Sequence, residues 1–341
     1  MSGFDHYRVR NDHQVPELLG KEDTGGVYIE KLLEKLKIQV TKLTENDIEF
    51  DLIGVDVSIA NALRRILLAE VPTIAIENVW IAVNNSIIQD EVLAHRVGLI
   101  PIRADPSKLG YVVGEEETDR DTIVFHFDVQ CSAKRDENNE SVTTVNDKAL
   151  SGSLRWLPQG NQTEIFPEGV APVHDDIVLA KLKPGQCIEF EAHCRKGVGK
   201  DHAKFSPVAT ASYRLLPDIR FKKPIIGESA YKLKSLCPMN VFDIEDLGGT
   251  PTAKVARPRD CTMCRECIRP QTSTAEDEVQ ESGSGELSDL VELRRGANHF
   301  LFSIESSGCI PPVTIVREAI SILKEKAVLF LSLIDDYEAQ L

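Results

Sequence analysis

The spacing of hydrophobic and polar positions changes period several times along this chain, and each change marks an element. From Ser58 to Glu70, and on to Val71, the apolar residues Ile59, Ala62, Leu63, Ile66, Leu67 and Val71 recur at three- and four-residue steps. That is the period of a helix with one continuous apolar face. Asp56 or Ser58 can accept from the first free amides and Pro72 cannot continue the ladder, so both helix ends are written locally. Arg64 and Arg65 lie about 100° apart on this helix, which lets one flank the apolar stripe while the other faces water. Upstream, IQVTKLTENDIEFDLI alternates about Glu45, Asn46 and Asp47 and predicts a hairpin feeding the helix. Downstream, IAIENVWIAVNNSII alternates about Asn84 and Asn85 and predicts a second one. Asp90 to Val97 reads as a short helix ended by Gly98, and Pro101 and Pro106 keep the following segment extended.

Farther on, short strands dominate. TIVFHFDVQC is strand-like and lies between two polar, acidic stretches, 110–121 and 133–148, expected to be exposed loops. Further strands are expected at Ser153 to Trp156, Asp176 to Lys181 and Cys187 to Arg195, which suits a mainly antiparallel sheet. VFDI and AKV, beginning at Val241 and Ala253, predict a small β-pair. Residues 271–289 read as an acidic linker rich in Gly and Ser, and HFLFSIES after it as a strand. The last segment sets Val316, Ile320, Leu323, Ala327, Phe330, Ile334 and Tyr337 at alternating four- and three-residue steps, a heptad seam. Spacing alone allows that helix to cover its own sheet as readily as another helix. At the other end, residues 1–37 predict an extended tail with one short helix from Tyr28 to Leu36.

With 341 residues the chain can hold two or three domains, and 27% charged with 42% hydrophobic residues fits a soluble globular protein. A formal charge of -15 argues against a free-standing nucleic-acid binder. There is no uncharged apolar run of about eighteen residues, and MSGFDHYRVRNDHQ lacks the apolar core of a signal peptide. The protein is therefore expected inside the cell, with its eight cysteines reduced or ligating metal. Groups of catalytic type occur but lack catalytic context. His95 beside Arg96, with Asp90 and Glu91, reads as structural; GVGK at Gly197 lacks phosphate-loop spacing; Asp201, His202 and Ser206 lack a nucleophile elbow.

The specific chemistry sits in Cys261, Cys264 and Cys267, a CxxCxxC run that can bring three thiolates round one centre. A ferredoxin run would continue with Cys-Pro, where Gln271 and Thr272 stand instead, but a distant Cys-Pro can serve as donor and Cys237-Pro238 supplies one. Cys237, Cys261, Cys264 and Cys267 complete the set for a 4Fe-4S iron-sulfur cluster; four-thiolate zinc is the alternative, and free thiols in a relic motif the third reading. Cys131, Cys187, Cys194 and Cys309 are dispersed and read as small hydrophobes.

NALRRILLAEVP, QDEVLAHRVGLIPI and KDHAKFSPV together resemble the assembly segments of the α-like subunits of cellular RNA polymerases, the family of bacterial α and its archaeal counterparts. The resemblance covers about residues 38–341 and is closest to the larger α-like subunit that eukaryotic polymerases I and III share. It implies an α+β fold, an α-like dimerisation domain with an inserted β-rich domain and a ferredoxin-like lobe. The expected parts are a tail, 1–37; the dimerisation domain, 38–74 with 206–230 and 287–341; the insertion, 75–205; and the lobe with its acidic linker, 231–286. The implied function is non-catalytic. The chain would heterodimerise with the smaller α-like subunit and form the platform for the second-largest catalytic subunit and small zinc-binding subunits. The implied setting is transcription of rRNA, 5S rRNA and tRNA in the nucleus, including the nucleolus, with DNA met only through the complex and no membrane. By resemblance Ile59, Leu63, Ile66 and Leu67 face the α-like partner with Ile320, Leu323, Phe330 and Ile334, while Arg65, Lys200, His202 and Lys204 meet the large subunit. Archaeal members commonly carry a cluster in the lobe and many eukaryotic ones have lost cysteines. An iron-sulfur redox or sensor protein built on the lobe is the alternative function.

Overall fold

The computed structural model describes residues 6–8, 34–112, 114, 117–135, 142–246, 248–269 and 287–338. After β1 (His6–Arg8), β2 (Lys37–Leu43) and β3 (Asp47–Ile53) form the expected hairpin, its turn closed by the Thr44 amide on the Asp47 carbonyl at 2.8 Å. α1 (Val57–Ala69) follows. Asp56 caps it, Oδ1 accepting from the Ser58 amide at 2.9 Å and the Ser58 hydroxyl at 2.8 Å. Between β3 and α1, Gly54 sits at φ 85°, and a Cβ there would lie 2.2 Å from the Lys35 carbonyl oxygen, so only glycine fits the corner.

The second expected hairpin is absent. β4 (Pro72–Asn84) is one strand of 13 residues, and Asn84 ends it by turning inward on its own neighbours. Its Oδ1 accepts from the Ser86 amide and hydroxyl, and its Nδ2 donates to the Ile88 carbonyl, so the chain turns into α2 (Asp90–Gly98) and not back along β4. An asparagine that bonds the backbone two residues on makes either kind of turn, and alternation alone does not choose between them.

Next come β5 (Ile102–Arg103), β6 (Thr122–Gln130), β7 (Ser132–Arg135), β8 (Val142–Val145), β9 (Lys148–Leu150) and β10 (Leu154–Leu157). Within the loop expected over 133–148 the described residues are largely strand: β7 and β8 pair antiparallel from Ser132 with Val145 to Arg135 with Val142, the β-branched Val-Thr-Thr-Val outweighing the acidic context. α3 (Gln162–Ile165), β11 (Ala171–Pro172), β12 (Val178–Lys181), β13 (Cys187–Val198) and β14 (Val208–Phe221) lead on to α4 (Glu228–Leu236). β15 (Phe242–Asp246) and β16 (Pro251–Val255) form the expected small pair, with Ile244 opposite Ala253. The described chain closes with α5 (Leu287–Leu290), β17 (Val291–Ser306) and the 27-residue α6 (Pro312–Glu338). Most of the helix expected at Tyr28 to Leu36, and residues 271–286 of the expected linker, lie outside the described residues. Among those described, no helix is long and apolar enough to cross a membrane.

One sheet has the order β1-β17-β3-β2, with β14 also on β17; a four-stranded sheet has the order β10-β6-β13-β4. The described residues divide into two compact units, those falling in 1–40, 50–60 and 213–302 in one, and those in 41–49, 61–212 and 303–341 in the other. The core of the first includes Ile219, Ile225, Leu233, Phe242, Ile268 and Leu293 with the thiols of Cys261 and Cys267. The second has a core drawn from Ile74 to Cys194, in which Phe127 and Phe190 stack with ring centroids 4.6 Å apart.

On the other face of the four-stranded sheet, Glu117 is held by the Asn78 amide at 3.0 Å and by short contacts from His193 and Arg195, and the second His193 nitrogen lies 2.7 Å from Glu191. Burial works against both charges, but the Arg195, Asn78 and His193 bonds hold the Glu117 carboxyl below its usual range, and the two glutamates lift His193 above its own. The His193 contribution is full below about pH 6.5 and fades as pH rises through its raised value; the Glu117 contribution is full above about pH 4.5 and fades as pH falls through its lowered one. An imidazole titration by NMR is expected to place the His193 midpoint above 6.5 and to return it towards that value in Glu117→Gln. An unshifted wild-type midpoint would remove the clamp.

Candidate subunit interface and cysteine lobe

α1 divides by exposure. Leu63, Ile66 and Leu67 are buried within the single chain, Leu67 completely, whereas Ile59 is 37% exposed and Val57 48%. The stripe expected to face a partner is therefore taken mainly by the chain's own core. Each such side chain gains about 2 kcal/mol on burial, and a core reached within the same chain supplies that without a second molecule. Arg64 lies along the helix, held by Asn61 Oδ1 at 3.0 and 3.1 Å, and Arg65 is exposed, the split that their 100° offset allows.

The loop after β13 closes the end of α1. The Lys200 amide donates to the Ala69 carbonyl at 2.8 Å, and Gly199 passes so close that a Cβ would lie 2.3 Å from the Leu68 oxygen. This loop thus satisfies one of the free carbonyls at the helix end. Thr73 Oγ1 donates to the Phe205 carbonyl at 2.7 Å, which ties the start of β4 to the same loop. Lys200 and His202 are exposed, His202 Nδ1 accepting from the Lys204 amide at 3.1 Å. Lys204 is not a surface cation. Its ammonium donates to the Ile76 carbonyl at 2.8 Å, pairs with Glu77 and lies 5.2 Å from the centre of the Phe205 ring, because its long stem reaches back across β4.

α6 carries a second division. Ile315 and Ala319 are fully buried, Val316 and Leu323 are half-buried, and Ile320 is 47% exposed. The inward stripe therefore lies one residue, or about 100°, round from the heptad seam, which leaves the seam on the flank. Lys326 pairs with Glu70 just beyond α1. From Lys324 to Tyr337 every residue is exposed, including Phe330 at 65% and Ile334 at 39%. Val328, Leu329, Leu331 and Leu333 are exposed too, so this half of the helix is apolar round most of its circumference. A helix apolar on all sides is stable in water only when something encloses it. The heptad pattern had not singled out those four, although the run VLFLSLI carries the signal. β2 is also exposed along its whole length, with Ile38, Val40 and Leu43 each more than half exposed.

The lobe places its cysteines together without closing them on a centre. Cys261 and Cys267 are buried, Cys237 is intermediate and Cys264 exposed. Burial pushes the Cys267 thiol up to about 12, with the neighbouring Cys261, Cys264 and Cys237 adding to the shift. Cys261 is raised by the same causes, burial first. Met263 and Arg265, between the cysteines, have φ of 59° and 70°, which curls the segment, and the Val241 amide donates to Cys237 Sγ at 3.4 Å. The four thiols lie within one another's field, as one bound group would require, but burial favours the neutral form of Cys261 and Cys267 over the thiolates that a metal needs. Among the described residues no group of three or more His, Cys, Asp or Glu is arranged to hold a metal ion.

Residues 49–327 match the RNA polymerase Rpb3/Rpb11 dimerisation domain, a span that takes in α1, the loop after β13 and the first part of α6. The chain belongs to that family. Within it, the chain is 46% identical to DNA-directed RNA polymerases I and III subunit RPAC1 of Homo sapiens over 309 residues, 89% of this chain and 85% of that protein. The protein of the same description in Saccharomyces cerevisiae is 41% identical over 336 residues, 95% of this chain and 96% of the relative. DNA-directed RNA polymerase II subunit rpb3 of Dictyostelium discoideum is 32% identical over 306 residues, 87% and 94%. The mixed α and β architecture agrees with membership of the dimerisation-domain family, whose matched span contains both divided helices except the end of α6.

Proposed function

We propose that this chain is a non-catalytic α-like assembly subunit of RNA polymerases I and III, working in the nucleus and, with polymerase I, in the nucleolus. The observation that carries this reading is the apolar half of α6, left open in a chain of the dimerisation-domain family. Its occupant is a smaller α-like subunit, whose own helices supply the missing cover. Arg65 is exposed on α1, Lys200 and His202 are exposed in the loop that closes its end, and all three are proposed contacts for the second-largest subunit, with small zinc-binding subunits on the same platform. Lys204 supports that loop from within. Affinity purification of the tagged chain, followed by identification of the co-purifying proteins, tests the reading. Recovery of the chain without a second α-like chain and without polymerase subunits would end it.

The layout expected from the sequence is proposed to hold at the level of domains, with an inserted β-rich domain near residues 75–205 and a ferredoxin-like lobe near 231–286. The core running from Ile74 to Cys194 and the β15–β16 pair support it. In the lobe, Cys237, Cys261, Cys264 and Cys267 would hold a 4Fe-4S cluster, or zinc in its place. Either group supplies a covalent cross-link between distant parts of the lobe, and the cluster adds one-electron chemistry. Metal analysis and a visible spectrum of anaerobically purified protein are expected to show iron, sulfide and a brown chromophore. Colourless protein containing zinc would replace the cluster by zinc, and metal-free protein would retire both.

A further inference from the structure

β3 alternates in the manner of a sheet strand covered on one face, with Ile48, Phe50 and Leu52 buried there. Asp51 points to the opposite face and is nevertheless only 3% exposed. Its cover is specific. Arg259, 208 residues away and two residues before Cys261, donates Nη1 to Oδ2 at 2.7 Å and Nη2 to Oδ1 at 2.8 Å, a two-pronged bond. His299 Nε2, on β17, lies 2.9 Å from Oδ2. A second tie comes from β14, where Arg214 Nη1 donates to the Cys261 carbonyl at 3.3 Å. The cysteine segment is thus fastened at its entry by two strands of the long sheet, through an arginine whose partner is a core carboxylate. Burial of an ionised carboxylate is tolerated only while it is paired, so the segment and the strand depend on each other.

We infer that Asp51 is a positioning residue for the CxxCxxC segment: through Arg259 it holds the segment on the sheet, so that the order of the thiols is set by β3 and not by the lobe alone. Neither the family match nor the polymerase reading supplies this role, and it stands if either fails. It also places the thiols' anchor five residues before Asp56, the cap of α1, on the strand that leads directly into that helix.

The test is chemical and independent of assembly. The reduced, chelator-treated full-length chain is pulsed with a maleimide, and labelling is read at each cysteine by mass spectrometry. In Asp51→Asn the two-pronged bond is lost while size and one acceptor remain, and labelling of Cys261 and Cys267 is expected to rise about tenfold or more, the factor that loss of one charge-assisted bond implies for local opening. Cys131 and Cys194, buried in the other unit, are expected to stay as slow as in the parent chain. Arg259→Gln combined with Asp51→Asn leaves no buried charge unpaired, and should keep the selective rise even if Arg259→Gln alone unfolds. Unchanged rates at Cys261 and Cys267 in the double variant, or an equal rise at Cys131 and Cys194, would overturn the inference.

Discussion

Phe330→Asp is expected to abolish stable pairing with the α-like partner while leaving the isolated chain as stable as before. The side chain is 65% exposed, so no packing inside this chain is lost, and substitutions at such positions usually stay within about 0.5 kcal/mol of the parent. In the complex the same position would put a charge into an apolar joint and remove an aromatic anchor. A central anchor of that kind is worth about 3–4 kcal/mol, or roughly a hundredfold to a thousandfold in affinity. Size-exclusion chromatography of the co-expressed pair and a urea titration of the single chain separate the two effects. Leu67→Asp is the contrast. Because Leu67 is fully buried, it should unfold the chain itself, and partner loss there would follow from misfolding. A pair that survives Phe330→Asp intact would move the joint off this part of α6.

Gly54→Ala is expected to cost about 3 kcal/mol of folding stability, large for a single methyl group. Two terms act together. The backbone is at φ 85°, where an L side chain is strained, and the added Cβ would lie 2.2 Å from the Lys35 carbonyl oxygen. Neither can relax without moving the hand-over from β3 to α1, where the Gly54 amide also donates to the Asn298 carbonyl at 2.8 Å. Gly169→Ala isolates the first term, since Gly169 has φ 78° and nothing within 4 Å of the added atom; it should cost only about 1 kcal/mol. Equal shifts of the urea midpoint in the two variants would show that the contact with Lys35 carries no energy.

Much of the candidate site was legible because its signals are local. α1 has its cap at Asp56, its stop at Pro72 and its period of 3.6 within a single stretch, and the β2–β3 hairpin likewise carries its own turn. The polar loop after β13 could be recognised only as a family signature. That it closes the end of α1 through the Lys200 amide came from the fold, since a carbonyl at residue 69 and an amide at residue 200 share no local pattern. Lys204 shows the limit of reading by residue type. A lysine in a polar loop looks like surface charge, and whether its stem turns inward to Ile76 and Glu77 depends on where β4 runs.

What the sequence determined by itself was the set of elements with short-range causes and the CxxCxxC spacing, because each rests on residues within a few positions of one another. What only the tertiary structure decided was the use of each face. Heptad spacing in α6 is the same whether the seam points into the chain or away from it, and the fold turned Ile315 and Ala319 inward and left Phe330 outside. The α1 stripe, equally silent about its partner, went mostly to the chain's own core. Asp51 gained a partner 208 residues away. Periodicity reports that a face is apolar; only the long-range arrangement of the chain sets which surface covers it, and where it is left uncovered.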